Sequence, residues 1–210
     1  MDLAHIQAVL LDMDGTLVDS DDAVDRAWVA WSHRYGIDPE VALAIAHGAP
    51  ADVTVRRLRP DFDDGQVEQA AADQLKMQYD DLGDVVPTRG ALRLVGILEQ
   101  SDLEWAIFTS ADQLLATTRL GLVGISPPVL VTVEDVTVGK PDPEGYLRAA
   151  SLLGVSPAHC LVVEDTEVGL EAGRSAGAFT AAVKGLDADL RLNHLDDLAD
   201  LLEVARRHSG

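Results

Sequence analysis

Residues 9–18, VLLDMDGTLV, begin as a buried strand and end in two aspartates and a glycine. Asp12 and Asp14 stand where the apolar run stops. Two carboxylates so close repel one another, and desolvating them is costly unless a cation or a proton joins them. A strand running into an Asp-Gly turn would also write this string. The rest of the chain has to decide between the two.

Four further runs read as strands: 103–109 LEWAIFT, 128–132 PVLVT, 160–164 CLVVE and 178–183 AFTAAV, with the first strand over 6–12. Their nearly continuous apolar character suits a parallel sheet covered on both faces. Helical patterns separate most of them, over 90–100, 111–121, 143–154 and 167–177, and a last helix is expected over about 195–208. Gly121, Gly154 and Gly177 are expected to end three of these helices. Strand alternating with helix predicts an α/β fold, a doubly wound, mostly parallel Rossmann-like sheet. One stretch breaks the alternation. Residues 20–86 contain no convincing strand, only helical patterns such as 21–35 and 64–82, and are too long for a loop. They are expected to form an inserted all-α cap domain, leaving 1–19 and 87–210 as the core.

Composition narrows the function. The 210 residues carry 36 acidic and 16 basic side chains, a formal charge of -20. Such a surface repels nucleic acid and anionic lipid, so neither is expected as a partner, and no obligate protein partner is evident. It also repels phosphorylated substrates, so an anion site needs a local device such as a bound divalent cation. A single cysteine, Cys160, lies in an apolar strand run and reads as a buried hydrophobe. With no possible internal disulfide, no signal peptide and no membrane span, a cytoplasmic location is expected.

Ligands bind open parallel sheets at the carboxyl ends of the strands. There this sequence places Asp12 and Asp14, Thr109-Ser110, Lys140 in the loop after the third strand run, and Glu164-Asp165. Asp12 and Asp165 could share Mg²⁺, which favours carboxylate, carbonyl and water oxygens. Lys140, Thr109 and backbone N–H groups fit the oxygens of a phosphoryl group in transfer. Asp12 can attack phosphorus, and Asp14 can protonate the leaving oxygen and later deprotonate water. Gly15 lets the backbone approach the phosphate, with Ser110 as a neighbouring contact.

These residues carry a resemblance. DMDGT at 12–16, Thr109 in IFTSA, Lys140 in GKPDP and VVEDTEVGLEAG at 162–173 resemble, in order and spacing, the four motifs of the haloacid dehalogenase superfamily. The likeness is to its phosphatase branch with a helical cap. It implies Asp12 as nucleophile and Asp14 as acid/base with its backbone carbonyl on Mg²⁺. Asp165 would be a metal ligand, and Glu164 would hold a metal-bound water. AHGAPADVTVRRL at 46–58 resembles the cap loop of sugar-phosphate and glycerol-phosphate phosphatases, which makes His47, Gly48 and Arg56 substrate candidates. Arg89 stands where similar proteins usually carry proline, and Glu167 reads as a favourable charge in a helix's first turn. The expected activity is Mg²⁺-dependent hydrolysis of small sugar or polyol phosphates. A β-phosphoglucomutase-like mutase shares every core motif and is the rival enzyme. Asp14 argues against a dehalogenase. With Lys76 the cap's only lysine, a phosphonate hydrolase is disfavoured. A receiver-type signalling module would lack a cap of this size.

Overall fold

The computed structural model describes residues 3–46, 50–80 and 82–208. Within the core, β1 (Ala8–Leu11), β4 (Glu104–Phe108), β5 (Leu130–Val131), β6 (Cys160–Glu164), β7 (Phe179–Ala182) and β8 (Leu190–Arg191) form a sheet in the order β5-β4-β1-β6-β7-β8. Every pairing in it is parallel. Numbered within the sheet alone, this is the doubly wound order 3-2-1-4-5-6, whose direction reverses between β1 and β6. All residues of β1 and β6 are buried, as expected of strands covered on both faces.

The expected helices appear as α5 (Ala91–Glu99), α6 (Gln113–Leu122), α7 (Glu144–Leu153), α8 (Glu167–Ser175) and α9 (Leu195–His208). Alternate strand residues Ala8, Leu10, Ala106, Phe108, Cys160 and Val162 pack with Tyr146, Ala149 and Ala150 of α7. Burial pushes the Cys160 thiol up to about 11, in keeping with an inert side chain. Gly154 ends α7 in the left-handed conformation. Gly121 does not end its helix: α6 runs on to Leu122, and the positive φ falls on Gly124.

Three short elements depart from the sequence reading. β8 was not expected, and neither were β2 (Val18–Asp19) and β3 (Val86–Pro87), which pair antiparallel. Two-residue strands leave no hydrophobic alternation to read. The β2–β3 pair ties together the two ends of the core chain between which the helical stretch is inserted. Thr88 reinforces it, donating from N to Leu17 O (3.0 Å) and from Oγ1 to Thr16 O (2.5 Å).

The chain divides into two compact units, Met1–Asp19 with Val86–Gly210, and Ser20–Val85. The boundary falls one residue before the expected one because Val86 pairs with Asp19. The second unit holds α1 (Asp21–Tyr35), α2 (Pro39–Ala46), α3 (Ala51–Leu58) and α4 (Asp64–Met77), so the pattern read over 64–82 ends early. Trp28, Trp31, Val55, Val67 and Ala70 form its core. Trp31 stacks on Tyr35 at 4.6 Å and donates from Nε1 to Ala70 O at 2.8 Å. Among the described residues no helix is long and apolar enough to cross a membrane.

Candidate active site

Sheet register brings the acids together. Leu11 pairs with both Ile107 and Val163, so Asp12, Phe108 and Glu164 leave the sheet at one level, beside the switch point. Asp12 continues the ladder, donating from N to Val163 O at 3.0 Å. A turn follows: Leu17 N and Val18 N both donate to Met13 O, and Gly15 N donates to Val18 O. Gly15 has φ 81°, and a Cβ there would lie 2.1 Å from Asp165 Oδ2. No other residue fits.

Lys140 is buried and bridges two carboxylates. Its Nζ donates to Asp12 Oδ1 at 2.5 Å and to Glu164 Oε1 at 2.6 Å. The ammonium also lies 5.0 Å from the Phe108 ring centre and 5.5 Å from that of Tyr146, within cation–π range. Tyr146 Oη donates to the same Glu164 Oε1 at 2.6 Å, while Glu164 Oε2 accepts from Asp165 N and Thr166 Oγ1. Both Glu164 oxygens are thus occupied by chain donors. Glu164 anchors Lys140. A Cβ at Gly169 would lie 1.9 Å from Glu164 Oε1, so helix α8 can pass this carboxylate only with glycine there.

Asp165 differs. Its Oδ2 pairs with Lys184 Nζ at 3.0 Å, but its buried Oδ1 meets no hydrogen-bond donor among the described residues. One oxygen each of Asp12, Glu164 and Asp165 lie within 4.8 Å of one another, a group able to hold a metal ion. Burial, then repulsion from Glu164, pushes Asp12 and Asp165 above the usual carboxylate range. The paired carboxylates in turn raise Lys140 despite its burial. Charge here is short on the positive side, and an oxygen without a donor points to where a hard cation fits.

Thr109 is buried at the end of β4, its Oγ1 accepting from Ala111 N, and Ser110 is exposed beside it. Neither caps α6, a task done by Asp112, whose side chain accepts from Leu115 N. Arg56 lies on α3 in the helical unit and pairs with Asp64 at 2.9 Å, both side chains more than half exposed. His47 and Gly48 lie outside the described residues. Arg89 pairs with Asp196 at the start of α9. Glu167 occupies the first turn of α8 and reaches Arg174. Arg119, Tyr146 and Lys184 join the cluster without having been expected. Arg119 alone left a signal, a charge spaced with Leu115 and Ala116 on an inward helix face.

Known proteins resemble most of this chain. Hexitol phosphatase A of Escherichia coli is 36% identical over 195 residues, covering 92% of this chain and 90% of its own. The 2-deoxyglucose-6-phosphate phosphatase 1 of Saccharomyces cerevisiae is 35% identical over 193 residues, covering 83% and 78%. A hydrolase from Pseudomonas syringae superposes with a TM-score of 0.84 at 25% identity, over 95% of this chain and 98% of its own. The profile of the haloacid dehalogenase-like hydrolases matches residues 6–177, a span that takes in every acid of the cluster, and the chain belongs to that family.

Proposed function

We propose that this hydrolase is a Mg²⁺-dependent phosphatase of small sugar or polyol phosphates, working through a phosphorylated Asp12. One observation carries the reading: the buried Asp12 carboxylate directly follows a central strand, is held at 2.5 Å by Lys140, and has a carboxylate oxygen of Asp165 within 4.8 Å. The names of the two phosphatases above support the substrate class.

Asp12 and Asp165, with the main-chain carbonyl of Asp14, would hold the cation, and Glu164 would act through a water. When bound, Mg²⁺ supplies positive charge against the phosphoryl oxygens and the -20 surface. The chain's own groups do the rest. Asp12 attacks phosphorus, forming an O–P bond as the ester O–P bond breaks, and Asp14 gives the leaving oxygen its proton. Water then attacks phospho-Asp12 while Asp14 takes its proton, releasing phosphate and restoring Asp12. Lys140 and Thr109 stabilise the phosphoryl oxygens, with Ser110 and the Gly15 main chain as further contacts. The helical unit, through His47, Gly48 and Arg56, governs which alcohol is accepted.

The test is a panel of phosphorylated sugars and polyols with Mg²⁺, read as phosphate release. Hydrolysis that disappears on chelation and in Asp12→Asn is expected. Asp12→Asn activity within about tenfold of the parent would remove the nucleophile. Conversion of β-glucose 1-phosphate to glucose 6-phosphate with little free phosphate, given a trace of the 1,6-bisphosphate, would mean a mutase instead.

A further inference from the structure

Arg119 is a buried charge that the chemistry above leaves unexplained. It lies on α6 one turn beyond Leu115, on the face shared with Ala116 and Leu120, and its side chain is 1% exposed. A guanidinium is costly to bury without an anion. Its Nη1 lies 2.9 Å from Oδ2 of Asp14, whose side chain is 28% exposed. The main chain of Asp14 is fixed separately by the turn after β1, through Gly15 N to Val18 O and the Asp14–Val18 bridge. A turn does not fix a rotamer. Arg119 is a contact that does.

We infer that Arg119 is a positioning residue for Asp14: from α6 it holds the carboxylate in the orientation from which Asp14 reaches the leaving oxygen. With a side chain 1% exposed, Arg119 acts through Asp14. Its Nη1 reaches Oδ2 at 2.9 Å from a planar, always charged group, which restrains that oxygen more than a flexible lysine would. The inference rests on the proposed phosphatase reading, in which Asp14 supplies the proton that an alkoxide needs to depart. An arginine serving only to neutralise charge inside the fold would make no distinction between leaving groups.

That distinction is the test. The full-length protein with Mg²⁺ is assayed on p-nitrophenyl phosphate, whose phenolate departs unaided, and on glucose 6-phosphate, whose alkoxide needs a proton. The ratio kcat/KM reports the steps through phosphorylation of Asp12 and omits the later attack by water. For Arg119→Met, kcat/KM on the sugar ester is expected to fall at least about tenfold more than on the aryl ester. Arg119→Lys should recover part of the difference. In an Asp14→Asn background, Arg119→Met should change the sugar ester by less than about twofold. Equal losses on both esters, or the same loss with and without Asp14, would overturn the inference. If Arg119→Met shows no cooperative melting, Arg119→Lys carries the test by the same ratio, and equal losses there also overturn it. Failure of the phosphatase reading looks different: the native protein would release phosphate neither from the aryl ester nor from any sugar or polyol phosphate of the panel, and the role of Arg119 would fall with it.

Discussion

Lys140 is the residue on which the site's electrostatics turn. It is buried among Asp12, Glu164 and two aromatic rings, and each carboxylate keeps it charged. Removing one partner of a buried pair leaves an uncompensated charge, at a cost of about 3–5 kcal/mol. Lys140→Ala is therefore expected to lower both the melting temperature and kcat, the latter by about 10²-fold or more. Lys76, exposed on α4, is the control, and Lys76→Ala should leave both near native values. Steady-state kinetics and thermal melts check this pair, and similar behaviour of the two variants would remove Lys140 from the site. At this scale the sequence shows most of the cluster. Asp12, Thr109, Glu164 and Asp165 can be read because each follows or ends an apolar strand run. Tyr146 and Lys184 cannot, because their partners Glu164 and Asp165 belong to other elements and only folding brings them near.

The elements that carry the site are the ones whose patterns are longest. β1, β4 and β6 and the helices after them follow the hydrophobic periodicity of the chain, and their boundaries shift by only a residue or two. What escapes is short or set by tertiary contacts. β2 and β3 have two residues each and exist because two passes of the chain lie side by side. The helical stretch reads as helix, but its four-helix division rests on local stops: Asp38 accepting from Glu40 N before α2, and the reciprocal Asp63–Gln66 box before α4. Gly121 misleads because a glycine inside a helix costs only about 1 kcal/mol and α6 continues past it. Element packing also decides where glycine is required. Gly15 and Gly169 each stand where a side chain would collide with a site carboxylate.

For the whole molecule, an excess of acid meets a site that concentrates still more of it. Asp12 and Asp165 are raised by burial and by Glu164, so the folded protein binds protons at these positions that the unfolded chain would release. Their contribution to stability is complete below the ordinary carboxylate value of about 4 and is lost as pH rises through the raised folded values. A divalent cation held by the cluster would replace those protons, and at a hundredfold excess over its dissociation constant it would stabilise by about 2.7 kcal/mol. The melting temperature should therefore rise more on adding Mg²⁺ at about pH 7.5 than at about pH 5. Differential scanning calorimetry at the two pH values checks this, and an equal or larger gain at the lower pH would exclude the carboxylate cluster as the cation site. The claim on which all of this depends is that Asp12 itself becomes phosphorylated. Acid-quenching the enzyme during turnover, reducing it with borohydride and sequencing the peptide around residues 9–18 by mass spectrometry tests it directly. Borohydride converts an aspartyl phosphate to homoserine, so homoserine at position 12, dependent on substrate and Mg²⁺, is the expected result. Steady phosphate release with unmodified aspartate at position 12, or with homoserine at position 14, would contradict it.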